Sequence, residues 1–316
     1  MRNKPADILY GGLRADKIQS AHPTFHEEHL KMFRQFVLDR YLVHLNKDYY
    51  KQPKPWTNNP ILQNYKFTNV RREHDKTTIR LLDLLRENAN ASYGNKIMNI
   101  VLYRLFNKIE TSQLMGWVDF SHYDDEALRA KLANAAPGFV YFTNAFYTTG
   151  MRQGFRKCYP EEKFEPIVIA RVCNDMKHTV YQAIRNAKTP MDVIDALQLF
   201  NGIGNFLSYQ MFVDLTYLPE FPWSENEFVV SGPGCIAGLS ELFTDRDGLS
   251  YDELLFWLRD NCPITREECI KLMVDLPEED RYMNLMSLEN CMCELSKYIR
   301  AVEGTGRPKN TYNGLV

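Results

Sequence analysis

The segment Leu197-Gln198-Leu199-Phe200-Asn201-Gly202-Ile203-Gly204-Asn205-Phe206-Leu207 sets an apolar helical stripe on either side of two glycines. Glycine inside a helix costs about 1 kcal/mol relative to alanine, and it reaches the positive φ that a sharp turn demands. The spacing therefore predicts a helix over 190–200, a turn at Gly202–Gly204, and a second helix over 205–217. Thr189-Pro190 is a good start signal for the first helix. Ile203 would anchor the turn between the two helices. Backbone N–H groups of the turn and of the following helix N-terminus, with Asn205 beside them, could then approach a phosphate closely. The plainer alternative is a helix–turn–helix corner with a glycine cap.

The rest of the chain reads the same way. Helical periodicity marks 24–45, with Phe33, Phe36, Val37, Tyr41 and Leu42, and also 67–88, 97–109, 124–134 and 164–187. Further helices are expected over 235–243, 250–259, 265–275 and 284–302. Segment 46–66 holds Pro53, Pro55 and Pro60 among aromatics and reads as an ordered loop. Segment 218–235, with Pro219, Pro222 and Pro233, reads as another. Phe139–Thr149 fits either a strand or a buried helix. Helices so outnumber strands that the class is all-α. The expected organisation is a single helical domain over 1–316, with residues 1–50 as an N-terminal helical extension and 190–217 as a helix-hairpin-helix.

With 45% apolar residues in 316, a sizeable core is affordable. The 38 basic residues balance 40 acidic ones, giving a net charge of −2. That excludes a strongly basic, non-specific nucleic-acid binder and leaves room for a local basic face. Seven cysteines, scattered and without a Cys-x-x-Cys pair, argue against a zinc ribbon and for a reducing compartment. Met1–Pro5 leads into polar sequence with no apolar signal core, and no apolar run nears the roughly 18 residues that span a membrane. A cytosolic protein without a membrane partner is expected. The seven histidines show no ligand spacing beyond His22/His26 and His26/His29, and Pro23 interrupts the first pair; neither a metal nor another cofactor is implied.

The hairpin is shared with helix-hairpin-helix DNA glycosylases, in which a catalytic Asp follows the second helix and some members carry a Lys at the hairpin. Here Asn205 and Phe206 stand at the Lys position, and Ser231 or Gly232 falls where the Asp would be. Glycosidic cleavage is therefore poorly supported. A different polar set marks the second helix: Tyr209, Gln210 and Asp214 interrupt an apolar surface. Gln210 and Asp214 share a face at a spacing of four. Asp214 is either a buried hydrogen-bonding residue or a site carboxylate.

Four segments together carry a family resemblance. They are Pro55-Trp56-Thr57 through Arg71-Arg72 with Asp75; Leu105-Phe106-Asn107 with Glu110-Thr111; Gly202 through Gln210 with Asp214-Leu215, then Glu227 through Gly234; and Glu289 through Tyr298 with Gly304-Thr305-Gly306-Arg307. From about residue 50 to about 310 the chain resembles the bacteriophage alpha-glutamyl/putrescinyl thymine pyrophosphorylases. It is also similar to the helical domain found with 5-hydroxymethyluracil DNA kinases. It departs at Arg71, where an aromatic is expected, and at Thr305, where Glu is expected. The sequence contains no Gly-x-x-x-x-Gly-Lys-Ser/Thr loop, so the kinase reaction is not implied.

Helical periodicity and the Gly202–Gly204 hairpin together predict a two-lobed helical fold like that of helix-hairpin-helix glycosylases, with a cleft between the lobes. The resemblance implies an amine transfer: an amino acid such as glycine or glutamate, or a polyamine, displaces phosphate or pyrophosphate from phosphorylated 5-hydroxymethyluracil in DNA. Such a site needs cations for the leaving anion, for which Arg71, Arg72, Lys76, Arg104, Lys297, Arg300 and Arg307 are candidates. It needs a base for the incoming ammonium; Asp75, Asp214, Glu227 and Glu294 qualify, with Asp214 favoured. It needs partners for the uracil ring, for which Asn69, Tyr209 and Gln210 fit.

Overall fold

The computed structural model describes residues 12–143, 146 and 148–312; Met1–Pro5 lies outside them. The described residues form fifteen α-helices and one pair of very short strands, an all-α architecture as the periodicity demands. None of these helices is long and apolar enough to cross a membrane. The chain divides into two compact units: Met1–Asp75 with Glu225–Val316 (unit 1), and Lys76–Ser224 (unit 2).

Unit 1 holds α1 (Ala15–Ser20), α2 (Glu27–His44), α3 (Pro60–Asn64), α12 (Pro233–Leu242), α13 (Tyr251–Asp260), α14 (Arg266–Leu272) and α15 (Leu285–Val302). Its centre is α15, whose Leu285, Met286, Leu288, Cys291, Met292, Leu295, Tyr298 and Ile299 are all buried. Helices α2, α3, α12 and α13 pack around it. The approach of α12 is very close: a Cβ on Gly238 would lie 2.0 Å from the Met292 carbonyl oxygen, so only glycine fits. Strands β1 (Thr24–Phe25) and β2 (Phe243–Asp245) pair antiparallel, with the Phe25 and Phe243 rings stacked at 4.6 Å.

Unit 2 holds α4 (Lys76–Glu87), α5 (Tyr93–Phe106), α6 (Ile109–Met115), α7 (Asp125–Ala133), α8 (Thr149–Cys158), α9 (Glu165–Asn186), α10 (Pro190–Leu197) and α11 (Asn205–Leu215). Helix α5 is buried from Asn95 to Phe106 and α11 from Leu207 to Leu215. Two helices buried around their whole circumference sit inside a bundle; α5 packs on both α9 and α11.

Several readings change: the segment 46–66, read as a loop, begins in a π-helical turn (Leu45–Tyr49) and contains α3 (Pro60–Asn64), and three further differences follow. The helix expected over 67–88 begins only at Lys76; before it the chain is extended at Arg71 and makes one 3-10 turn, Arg72–His74. Side chains impose this. The Asn69 amide donates to the His74 carbonyl (3.0 Å) and to Asp75 (2.9 Å), and Arg40 donates to the Phe67 carbonyl (3.2 and 3.1 Å), so the segment's bonds go to side chains rather than to a helical ladder. Arg71, Arg72 and Lys76 therefore do not share one helical face. The described residues of 139–148 form neither strand nor helix, while Asn144, Ala145 and Tyr147 lie outside the description. Helix α8 was not expected; Thr148 caps it by accepting from the Met151 N–H.

The 190–217 segment folds as two helices. Thr189 and Asp192 form a reciprocal capping box on α10, Gly202 takes φ +93°, and Ile203 is buried. A Cβ on Gly202 would lie 2.2 Å from the Gly150 carbonyl oxygen, whereas one on Gly204 would meet nothing within 4 Å. Gly202→Ala should accordingly destabilise the protein by at least about 2 kcal/mol, through the left-handed backbone and the clash together. Gly204→Ala should stay within about 1 kcal/mol. Urea unfolding of the two variants checks this, and equal stabilities would contradict it.

Candidate functional site

The residues singled out from sequence fall in both units. Asn69, Arg71, Arg72, Asp75, Glu227, Lys297, Arg300, Arg307 and Glu294 belong to unit 1; Lys76, Arg104, Asp214, Tyr209, Gln210 and Gly202–Asn205 belong to unit 2.

In unit 2, Asp214 on α11 is fully buried and receives a two-pronged bond from Arg104 on α5, Nε at 2.5 Å and Nη2 at 2.7 Å. The third nitrogen of Arg104 donates to Asn107 (2.6 Å), the residue that ends α5 in a left-handed conformation. Asp214 thus neutralises a guanidinium inside the bundle. A role as the proton-accepting base does not fit a carboxylate closed to solvent and clamped in this way; it orients Arg104 and ties α11 to α5. Tyr209 and Gln210 are also buried on α11. Gly204 is the residue preceding α11, and no side chain caps that helix. The Asn205 side chain accepts from Gln198 at 2.7 Å.

In unit 1, Arg71 is only 4% exposed and fully engaged. It donates to Glu73 and to the carbonyls of Tyr282 (3.0 Å) and Asp280 (3.4 Å), and lies 3.7 Å from Glu225. It cannot double as the cation for a leaving phosphate without abandoning Glu73 and Glu225, both partly buried, so that expectation is withdrawn. Arg72 is equally buried, and Glu227 is buried at the head of the segment leading to α12.

Asn69 and Asp75 do come together, with Arg40 donating to the Asn69 side-chain Oδ1 (2.7 Å) and the Asn69 side-chain amide to Asp75 (2.9 Å). Burial pushes the Asp75 carboxyl up against the opposing pull of Asn69 and Arg72. Two further acids behave similarly. Glu289 on α15, with the Cys293 thiol donating to it at 3.1 Å, is pushed by burial up to about 7. Glu225 is pushed up to about 7 by burial and by Glu73, opposed by Arg71 and Arg72. Sequence reasoning overlooked both as titrating groups, because nothing local marks a glutamate that tertiary packing buries.

The exposed candidates gather elsewhere in unit 1. A cavity of about 670 Å³ is lined by Phe67, Thr68 and Pro308 together with Lys66, Lys297, Arg300, Arg307 and Lys309. Its one acidic wall residue is Glu294, buried on α15, to which Lys297 donates at 2.8 Å. Burial pushes the Glu294 carboxyl up, and Lys297 pulls it down. The cavity is therefore a concave cationic surface with a protonatable carboxyl at its wall, fit to hold an anion and to exchange a proton beside it. Lys297 and Arg307 were anticipated. Lys66 and Lys309 were not, because they reach the cavity only through the backbone bond from the Lys66 N–H to the Asn310 carbonyl (2.9 Å).

Glu289 gives unit 1 a pH dependence whose sign is fixed. Its folded pKa lies above the ordinary 4.5, so the folded state holds a proton that the unfolded state has released. The associated stability is complete below about pH 4.5 and is lost as pH rises through about 7, a change on the order of 3 kcal/mol. Glu289→Gln should remove this component, making the variant more stable than the parent at pH 8 with little difference at pH 5. Urea titrations at the two pH values check this; a parent whose stability does not fall relative to the variant would refute it.

Comparison with known proteins adds the family. A relative is a 5-hmdU DNA kinase of Bacillus phage SP10, 27% identical over 262 residues, covering 78% of this chain and 41% of that protein. The chain thus corresponds to about two fifths of the kinase's length. No solved structure matches it. The family described as "5-hmdU DNA kinase, helical domain" matches residues 27–307, and across that span the chain belongs to this family.

Proposed function

We propose that the protein modifies 5-hydroxymethyluracil in DNA by amine transfer: an amino acid or polyamine replaces a phosphate or pyrophosphate on the 5-hydroxymethyl group. The observation that carries this reading is the basic cavity of unit 1 with Glu294 at its wall. Membership in a family named for a 5-hmdU DNA kinase domain supports the base. The resemblance of four segments to the thymine pyrophosphorylases supports a step after phosphorylation.

The chemistry runs as a displacement at the 5-methylene carbon. The C–O bond to the phosphoryl group breaks, its electron pair leaves with the phosphate, and the pyrimidine ring delocalises the developing positive charge. The amine nitrogen forms the new C–N bond, and its surplus proton passes to a carboxylate. In this reading Lys297, Arg300 and Arg307, which line the cavity, hold the departing anion. Glu294 is suited to the proton, since burial raises its basicity while Lys297 keeps its ionised form accessible. DNA is held in part by the N-terminus of α11, where Gly204 leaves the backbone N–H groups sterically open toward a phosphate.

The direct test incubates the protein with DNA carrying phosphorylated 5-hydroxymethyluracil and, separately, glycine, glutamate and putrescine, followed by nucleoside mass spectrometry. An amine-bearing thymine with phosphate release is expected. Base loss instead would indicate a glycosylase, and DNA retention without chemistry a binding module. Glu294→Gln should slow turnover about 10²-fold or more. Arg307→Ala should slow it about 10²–10³-fold, as loss of one anion donor does. If both variants keep full activity, the cavity is not the site.

Gly204→Asp should weaken DNA binding at low salt without changing the melting temperature, because the new side chain fits sterically but sets a negative charge against the phosphate. Unchanged affinity would reduce the hairpin to a structural corner.

A further inference from the structure

Away from the basic cavity, unit 1 brings together three side chains that lie far apart in the sequence. His44 closes α2, His74 closes the 3-10 turn Arg72–His74, and Asp275 follows α14. Nε2 of His44 lies 2.9 Å from Asp275 Oδ2, and Nε2 of His74 lies 3.1 Å from the same oxygen. The two imidazoles are stacked, with centroids 3.8 Å apart and planes 8° from parallel. All three side chains are about nine-tenths buried or more, at 10%, 10% and 6% exposure. The other carboxylate oxygen accepts from the Tyr41 hydroxyl at 2.8 Å.

We propose that His44, His74 and Asp275 bind one divalent transition ion, with zinc the best match to two imidazoles and a carboxylate. The ligand spacing supports it. Bonds of about 2.0–2.1 Å to a shared ion put adjacent ligand atoms about 2.9–3.4 Å apart for angles between square and tetrahedral, which brackets the two nitrogen-to-oxygen separations. The three donor atoms lie within 4.8 Å of one another.

Proton bookkeeping supports it as well. In the ion's absence one carboxylate oxygen serves two ring N–H donors, while Nδ1 of both histidines is buried with no hydrogen-bond partner. An ion removes the conflict. Each Nε2 presents a lone pair to it, each ring proton moves to Nδ1, and the Nδ1–H of His44 then faces Asp48 Oδ2, 3.8 Å away. Carboxylates behind ligating histidines, and a hydroxyl behind a ligating carboxylate, are the usual outer supports of such a centre. Seating the ion requires the rings to turn about χ2 until both lone pairs converge.

The donors come from α2, from the turn before α4 and from the loop after α14, so the ion would pin the Asn69–Asp75 segment to α2. With so little exposure its role is to position that segment. It is not a reaction centre.

The test uses the full chain. Protein made in zinc-supplemented medium should contain one equivalent of zinc by mass spectrometry. After chelation it should take up one equivalent of Co²⁺ with visible ligand-field bands, and its melting temperature should rise when zinc is restored. Asp275→Asn and His74→Gln should each weaken binding by more than the roughly 100-fold that losing an outer support costs. Because a variant can fail to fold, the parent protein decides first. No bound transition ion and no cobalt spectrum would overturn the proposal, and so would an equivalent retained in the folded His44→Gln, His74→Gln double variant.

Discussion

Helix α15 is buried on almost every side, and unit 1 is organised around that burial. A helix in this position has to be covered by several neighbours at once, and the cover dictates their character. On one side Gly238 lets α12 approach until backbone nearly touches backbone. Elsewhere α2, α3 and α13 supply apolar faces. The same helix carries Glu289, Cys293, Glu294 and Lys297, so the carboxyls of interest inherit their environment from it. Burial lifts the Glu289 carboxyl, opposed by the Cys293 thiol that donates to it and by Arg72. Glu294, one turn and a little further along, reaches the edge of the cover, where Lys297 meets it. One packing constraint thereby raises both carboxyls, and the polar partner each one meets decides what opposes it.

Unit 2 solves the equivalent problem differently. Its two most buried helices, α5 and α11, each carry one charge of a buried pair. Taking Arg104 and Asp214 out of water is expensive, and the attraction between them does little more than offset it. What the pair supplies is register: with both prongs bonded, α11 cannot slide or rotate along α5 without leaving an uncompensated charge. Asn107 extends the arrangement by tying the end of α5 to the same guanidinium.

Much of the architecture was legible because apolar spacing survives into the fold. The start of α10 at Thr189-Pro190, the turn at Gly202 and the long run of α15 follow from local chemistry that tertiary contacts reinforce. The segment before Lys76 was not legible. Its residues are compatible with a helix, and only Arg40 and Asn69, reaching across from outside any helical register, draw its polar groups elsewhere. Helix α8 was hidden by Gly150 and Gly154, which lower propensity. The cations that line the unit 1 cavity could be picked out where they are exposed and close in sequence, as at Lys297, Arg300 and Arg307. Site chemistry was misread where burial decides: Asp214 and Arg71 have the right functional groups, but each is committed to a partner that no spacing rule reveals.

The division of the chain has a further consequence for how the protein is made. Unit 2 is one uninterrupted stretch, whereas unit 1 combines the residues up to Asp75 with those from Glu225 onward. During synthesis, unit 2 has all its residues once Ser224 has left the ribosome. The apolar face of α2, with Phe33, Phe36 and Val37, must wait for α15 before it can be covered. At about 5–20 residues per second the part of that wait between Ser224 and Val302 alone lasts on the order of 5–20 s, long against the folding time of a helical bundle. In that interval the nascent chain carries a finished bundle and, upstream of it, an unsatisfied hydrophobic helix, the part of the molecule most in need of protection by a chaperone.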